Sequence, residues 1–266
     1  MQVIDAHCHA SPYWYEPVES LLFQMDRYGV SGAALIQMMG EYDNSYLFEC
    51  AQRFPGRFAP VVLVDSTSPA AVSELKRLHG LGASGVRFRV PSEAELNDAL
   101  RLWQCAAQLG LSISCLGTTQ EYASSMFLHC LETAAQTPVV IEHLGGLGKF
   151  NPDNPERECL VDHVLRFARY PHTYMKLTGL GELRQRAMPV NHAHPFVPTA
   201  DNLLDRVIAA FGPQRLMWGS DYPPVSAREG YGNALNWLRD QLTMLSKNTQ
   251  QAIFAETAQR VFPLRS

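Results

Sequence analysis

The sequence lacks the features that mark several large classes of protein. No apolar run approaches the ~20 residues that a membrane-spanning helix needs, so no membrane partner is expected. The first residues carry no basic segment followed by an apolar one, so there is no sign of secretion and the expected location is the cytoplasm. Basic residues are outnumbered, with 22 Lys and Arg against 26 Asp and Glu and a formal net charge of -4. Without a basic stripe, nucleic acid is not expected as a partner. The six cysteines (Cys8, Cys50, Cys105, Cys115, Cys130, Cys159) form no Cys-x-x-Cys pair. That excludes a zinc knuckle and fits reduced, buried thiols better than a disulfide framework. No linker, low-complexity stretch or internal repeat divides the 266 residues, so one domain over 1–266 is expected.

What is present is a regular alternation. Short apolar, β-branched runs predict strands at Val3–His9, Gly32–Met38, Phe58–Asp65, Ser84–Val90, Ser112–Gly117, Pro138–Leu144, Thr173–Gly179 and Leu216–Tyr222. Helical spacing falls between them, at Val18–Tyr28, Ser45–Arg53, Pro69–Leu78, Glu93–Leu109, Glu121–Ala135, Glu156–Ala168 and Ala200–Phe211, with two more helices after the last strand. Glycine or proline follows several of these segments, as in Tyr28-Gly29, Leu109-Gly110 and Phe211-Gly212-Pro213. Eight strands alternating with helices predict an α/β fold of the (β/α)8 TIM-barrel type, with extra C-terminal helices. A doubly wound open sheet is the competing architecture, weakened because no strand is followed by a glycine-rich dinucleotide fingerprint.

Barrel enzymes carry their chemistry at the C-terminal ends of the strands, so those ends are where ionisable residues matter. The first strand ends in His7-Cys8-His9. Period-two geometry puts both imidazoles on one face, where they could grip a metal ion or donate together to an oxyanion. Two ordinary histidines near a terminus are an equal reading of that tripeptide alone. Arg87 and Arg89 end the fourth strand, Glu142-His143 the sixth, Lys176 the seventh and Ser220-Asp221 the eighth. Charges in apolar segments are costly unless they are used or paired, and convergence of five such ends on one mouth predicts a site.

The segments Ile4-Asp5-Ala6-His7-Cys8-His9, Ile141-Glu142-His143-Leu144-Gly145 and Met217-Trp218-Gly219-Ser220-Asp221-Tyr222-Pro223 together resemble the amidohydrolase superfamily. Within it they are similar to the metal-dependent-hydrolase branch that includes 2-pyrone-4,6-dicarboxylate and sugar-acid lactonases. Gly85-Val86-Arg87-Phe88 and Tyr174-Met175-Lys176-Leu177-Thr178-Gly179 support the match. The resemblance implies a barrel enzyme hydrolysing a small lactone or related carbonyl compound. It implies Asp221 as general base and His143 as the residue that holds or polarises the carbonyl. His7, His9, His143 and Asp221 are the implied ligands of a single divalent ion, zinc or manganese. Catalysis without metal stays open, because the branch has members of both kinds. The fifth strand, Ser112-Ile113-Ser114-Cys115-Leu116, departs from the wider superfamily by offering no histidine, so a two-metal centre is not expected. A zinc-dependent decarboxylase of the same superfamily and a non-catalytic binding barrel are the alternatives.

Substrate contacts are expected from Arg87, Arg89 and Lys176, whose charge suits a carboxylated small molecule. A structural ion pair with Glu142 or Asp65 is the competing role for the arginines, and pairing with a buried carboxylate that for Lys176. Glu142 is expected to face the helices, opposite His143, and Asp5 to share the His7 face and orient a neighbour. Tyr13, in the aromatic loop Tyr13-Trp14-Tyr15, and Tyr46, after the second strand, are further candidates for the pocket. So is His192, in a long segment from Leu180 to Thr199 that reads as a lid over the mouth. A homo-oligomer is compatible with all of this, and no motif specifies one.

Overall fold

The computed structural model describes residues 1–149, 156–177 and 202–264. Its eight parallel strands are β1 (Ile4–Cys8), β2 (Gly32–Ile36), β3 (Phe58–Val62), β4 (Gly85–Arg89), β5 (Ser112–Leu116), β6 (Val139–Ile141), β7 (Thr173–Leu177) and β8 (Leu216–Trp218). They pair in chain order. The ring closes through a parallel bridge between Cys8 and Tyr222, with His9 N donating to Tyr222 O at 2.8 Å and Asp221 N to His7 O at 2.8 Å. This is the (β/α)8 TIM barrel that the alternation predicts, with extra helices after β8.

Strand burial explains the apolar runs. The strands are covered on both faces, so they read as near-continuous hydrophobic segments. Cys8, Ala33, Val62, Val86, Ile113, Val139, Ile141 and Trp218 pack outward against the helices. Ile4, Ala6, Ala34, Ile36, Ala59, Val61, Val140 and Met217 fill the interior. The last helical segments, through Thr257–Val261, plug the N-terminal end of the barrel with Ala255, Ala258, Val261 and Phe262. Gly85 is required by that plug, since a Cβ there would lie 2.8 Å from the Ser112 carbonyl oxygen and 3.0 Å from the Phe262 ring.

The first two helices, Val18–Tyr28 and Ser45–Arg53, occupy the stretches that helical spacing predicts. The stretch over 121–135 is instead two helices, Thr119–Tyr122 and Ser125–Thr133. Thr118 and Ser124 each accept a backbone amide at the start of one, so the chain begins a new helix where the spacing suggested a single one. β6 and β8 are shorter than expected because His143 (φ 50°), Leu144 (φ 52°) and Asp221 (φ 59°) leave the extended region. Among the described residues, no helix is long and apolar enough to cross a membrane.

Candidate active site at the C-terminal mouth of the barrel

β1 reaches the site through an irregularity. Between the pairs Asp5↔Ala33 and Cys8↔Leu35 it holds one residue more than β2 does, a β-bulge at Ala6-His7. Beyond it the alternation resumes, with Cys8 outward against the Ala34 carbonyl and the His7 and His9 rings together, centroids 4.9 Å apart. Asp5 therefore does not share the His7 face as simple alternation predicts. It pairs with Ala33 of the outer layer, and its Oδ1 accepts the His7 amide at 3.1 Å and the Ser220 amide at 2.8 Å.

Glu142 is the second correction. It is fully buried and turned inward, because Val140 two residues earlier already faces the interior. His143 adopts a left-handed backbone immediately after it, which swings the imidazole back to the same mouth. Consecutive residues thereby serve one cavity. Arg87 donates from Nε to Glu142 Oε1 at 3.1 Å and from Nη2 to Oε2 at 2.7 Å, a bidentate pair, while its Nη1 donates to the Gln37 carbonyl at 3.1 Å. Ser114 donates to Glu142 Oε1 at 2.6 Å, and Lys176 Nζ lies 3.8 Å from the same oxygen. Lys176 is completely buried above the Phe262 ring and reaches Ser114 Oγ at 2.7 Å and His7 Nδ1 at 2.9 Å. Burial lowers the Lys176 ammonium to about 8 against the pull of Glu142. Burial alone would raise the Glu142 carboxyl, but Arg87 and Lys176 outweigh it and hold the group well below the usual carboxylate range.

Above this charged layer, the histidines differ in how their protons are placed. His9 Nδ1 lies 2.7 Å from the Ile36 carbonyl oxygen, which can only accept, so the His9 proton sits on Nδ1 and the Nε2 lone pair points into the mouth. There it faces Asp221 Oδ1 at 3.8 Å. His7 Nε2 lies 3.8 Å from the same oxygen and is buried with no hydrogen-bond partner among the described residues. With Lys176 as ammonium donor, His7 carries its proton on Nε2 and is a donor to the mouth. With Lys176 as an amine whose lone pair accepts from His7 Nδ1–H, His7 presents a lone pair to the mouth instead. His143 stands 5.0 Å from His7, ring centroid to centroid.

His7, His143 and Asp221 each offer a ligand atom within 4.8 Å of one another. Together with the His9 lone pair and the orphaned His7 Nε2, this donor set fits one divalent ion of the kind that imidazole and carboxylate hold. Among the described residues no second such group exists. The fifth strand supplies Ser114 to the buried network and no metal ligand.

The mouth opens into a pocket of about 530 Å³, lined by His9, Tyr15, Met38, Arg87, His143, Asp221 and Arg228. That volume suits a small molecule. A larger groove of about 1190 Å³ runs beside it over the ends of β3 and β4, but contains none of the histidines and not Asp221. The candidate site is therefore the smaller cavity, which His9, His143 and Asp221 line.

The other sequence candidates fall in different places. Arg87 lines the pocket, but its guanidinium is engaged by Glu142 and the Gln37 carbonyl. Lys176 lies beneath His7 and does not line the pocket. Arg89 is exposed, 3.5 Å from Glu121, and faces the neighbouring groove. Tyr13 is 94% exposed, whereas Tyr15 from the same loop lies against His9 with ring centroids 5.6 Å apart. The Tyr46 hydroxyl accepts the Val18 amide at 3.0 Å, between the first two helices. His192 and the segment around it lie outside the described residues. Sequence reasoning did not single out Arg228, which places Nη1 2.9 Å from Asp221 Oδ2 and Nε 3.3 Å from Glu229. It missed Ser114 too, although the alternating Ser112 and Ser114 in an apolar strand were a readable sign of polar work inside the barrel.

The buried imidazoles make the metal-free protein acid-sensitive. Burial, helped by the Arg87 charge, lowers His9 from 6.5 to about 3, and burial with the Lys176 charge takes His7 well below 6.5. Between those values the unfolded chain binds more protons than the folded one, so stability rises with pH. Glu142, with its folded pKa depressed, has the same sign: its stabilisation is present above 4.5 and is lost as pH falls through the folded value. Asp5, raised by burial from 3.8 to about 6, opposes them only between those two values. The urea midpoint of the metal-free protein is therefore expected to fall steadily as pH drops from 6.5 toward 3. A midpoint that stays flat over that window would contradict the burial of neutral histidines.

An eight-stranded barrel with histidines and an aspartate gathered at the C-terminal ends of its strands is the architecture of a (β/α)8 enzyme. The chain belongs to the amidohydrolase family, whose model matches residues 4–264. It is 28% identical over 235 residues to a 4-sulfomuconolactone hydrolase of Hydrogenophaga intermedia, covering 83% of this chain and 70% of that protein. It is 30% identical over 134 residues to an L-fucono-1,5-lactonase of Burkholderia multivorans, covering 47% of this chain and 43% of that one. Among solved structures, an amidohydrolase from Burkholderia multivorans with bound zinc superimposes with a TM-score of 0.82 at 22% identity, covering 99% of this chain and 100% of that one.

Proposed function

We propose that this enzyme hydrolyses a small lactone carrying an anionic substituent, with one divalent ion in the site. The observation that carries the reading is the pair of facing acceptors, His9 Nε2 and Asp221 Oδ1, 3.8 Å apart at the mouth of a small pocket. An imidazole lone pair and a carboxylate facing one another across a mouth form a donor pair that one divalent ion can bridge. The local charges point the same way. Among the described residues, Arg87, Lys176 and Arg228 are paired with Glu142, Asp221 and Glu229, so this set carries no surplus positive charge of its own. A divalent ion held by His7, His9, His143 and Asp221 would add that surplus, and would supply Lewis-acid polarisation of the lactone carbonyl.

The reaction divides among the residues as follows. Asp221 takes a proton from the attacking water as the new C–O bond forms. Where no ion is held, His143, and His7 when its proton is on Nε2, would donate to the carbonyl oxygen as it becomes an oxyanion, an effect of ~2.7–4 kcal/mol for one well-placed donor. Holding the ion instead requires the His7 lone pair on Nε2. The ring C–O bond then breaks, and Asp221 returns its proton to the leaving alkoxide, giving the open-chain hydroxy acid. Tyr15 and Met38 supply an apolar wall for the ring. The named relatives, a 4-sulfomuconolactone hydrolase and an L-fucono-1,5-lactonase, support lactone chemistry.

Incubating the purified enzyme with anionic and neutral lactones, and following the products by mass, tests this directly. Ring opening by one water is expected, faster for the anionic compounds. Carbon dioxide release without ring opening would replace the lactonase with the decarboxylase, and tight lactone binding without turnover would make the barrel a binding module. Chelation should abolish turnover, and added zinc should restore it. Full activity in protein shown to be metal-free would leave the histidine N–H groups as the sole oxyanion donors.

A further inference from the structure

The bulge in β1 gives the site its His7 position, and it raises the question of what holds an irregular backbone at the centre of the chemistry. Bulges interrupt the ladder and leave backbone groups to be satisfied by other means. Here the amide of His7 is taken by the side chain of Asp5, two residues earlier, at 3.1 Å. The same oxygen, Asp5 Oδ1, accepts the amide of Ser220 at 2.8 Å from across the seam where the last strand meets the first. β8 has ended at Trp218, so Ser220 is already beyond the regular ladder. Asp221 N donates to His7 O at 2.8 Å, and Ser220 Oγ reaches the same carbonyl at 3.4 Å. The backbone of His7 and the peptide leading into Asp221 are thus tied to one buried carboxylate oxygen.

We infer that Asp5 is a positioning residue that fixes the His7 ring and the Asp221 carboxylate relative to each other by clamping the β1–β8 seam. It touches neither the pocket nor the reacting atoms, since it does not line the cavity and is fully buried. Its effect is geometric. His7 Nε2 and Asp221 Oδ1 stand 3.8 Å apart on segments that share only a short stretch of pairing, and a shift of either backbone changes that spacing. Groups behind a site that hold its inner residues in this way are commonly worth about 10–100-fold in activity or metal affinity. The inference rests on the reading of His7 and Asp221 as the working residues.

The test compares Asp5→Ala, Asp5→Ser and Asp5→Asn, assayed well below the melting temperature of the least stable of them. Asp5→Ala removes both bonds and should lower kcat by about 10–100-fold with a smaller change in KM. Asp5→Ser keeps a single short acceptor, should be intermediate, and serves if the alanine variant does not fold. Asp5→Asn retains an oxygen that can accept both amides and should recover most of the turnover. Hydrogen–deuterium exchange supplies a readout independent of catalysis. Uptake should rise in peptides covering 3–9 and 216–222 in Asp5→Ala, stay unchanged in β4 and β5, and return toward wild type in Asp5→Asn. Unchanged kcat and local exchange in Asp5→Ala, a rise spread evenly over the barrel, or an asparagine variant as impaired as alanine would each overturn the inference. Wild-type protein that opens no lactone would defeat the proposed reaction while leaving the exchange comparison to judge the clamp.

Discussion

Asp221→Asn is expected to lower kcat for lactone hydrolysis by about 10²–10⁴-fold, the range for loss of a positioned general base. The substitution is well chosen for this backbone. Asp221 sits at φ 59°, a region that asparagine and aspartate tolerate better than other residues with a side chain, so the turn should survive. An amide oxygen can still accept from Arg228 Nη1, now 2.9 Å from Oδ2, although the bond loses its charge assistance. What the amide cannot do is take a proton from water. Lactone binding, measured by calorimetry or by protection against thermal unfolding, should persist while turnover collapses. Asp221→Ala would be harder to interpret, because it adds backbone strain at a positive φ to the lost base. Wild-type turnover in Asp221→Asn would remove the aspartate from its assigned role.

The barrel was legible in the chain because its signals are local and repeated. Apolar runs of strand length, helical spacing between them and glycine or proline stops such as Gly29 and Gly110 each depend on neighbouring residues only. The mouth was legible for the same reason: His7, His9, His143 and Asp221 are ionisable groups at the ends of otherwise apolar segments. What local patterning could not supply was the direction of individual side chains where the backbone departs from regularity. The bulge at Ala6-His7 puts Asp5 and His7 out of phase, and the left-handed backbone at His143 lets Glu142 and His143 serve one cavity. Neither departure involves a glycine, so nothing in the composition announces it. For Glu142, parity counted forward from the buried Val140 gives the observed face, whereas parity counted back from His143 gives the wrong one.

Partner choice was the other illegible part. Arg87 has two reasonable fates in the sequence, a substrate carboxylate or a structural one, and only the fold brings Glu142 from 55 residues away to its fork. Lys176 likewise meets Ser114 and His7 from distant segments. The consequence is a division of labour in layers. Apolar side chains and the Phe262 plug fill the bottom of the barrel, a charged layer of Arg87, Glu142, Ser114 and Lys176 lies above them, and the histidines cap that layer at the mouth. The charged layer orients His7 from below through Nδ1, as the Ile36 carbonyl orients His9.

That layering makes Glu142→Gln the substitution with the largest expected cost in stability. Removing one partner of a buried ion pair leaves an uncompensated charge, typically a loss of about 3–5 kcal/mol. Here two buried cations depend on one carboxylate: Arg87 at 2.7 Å and Lys176 at 3.8 Å, with side chains 5% and 0% exposed. Lys176 can relieve its part by losing its proton, since burial already brings it to about 8 and Glu142 is the main influence keeping it charged. Arg87 has no such escape, because a guanidinium stays protonated. The loss should therefore track Arg87 more than Lys176. In a double-mutant cycle read by urea denaturation, adding Arg87→Met to Glu142→Gln should restore a large part of the stability, and adding Lys176→Met should restore less. Equal rescue by the two would mean that the lysine does not shed its proton. A Glu142→Gln variant within about 1 kcal/mol of wild type would mean that water reaches the layer and solvates the guanidinium, contrary to its burial.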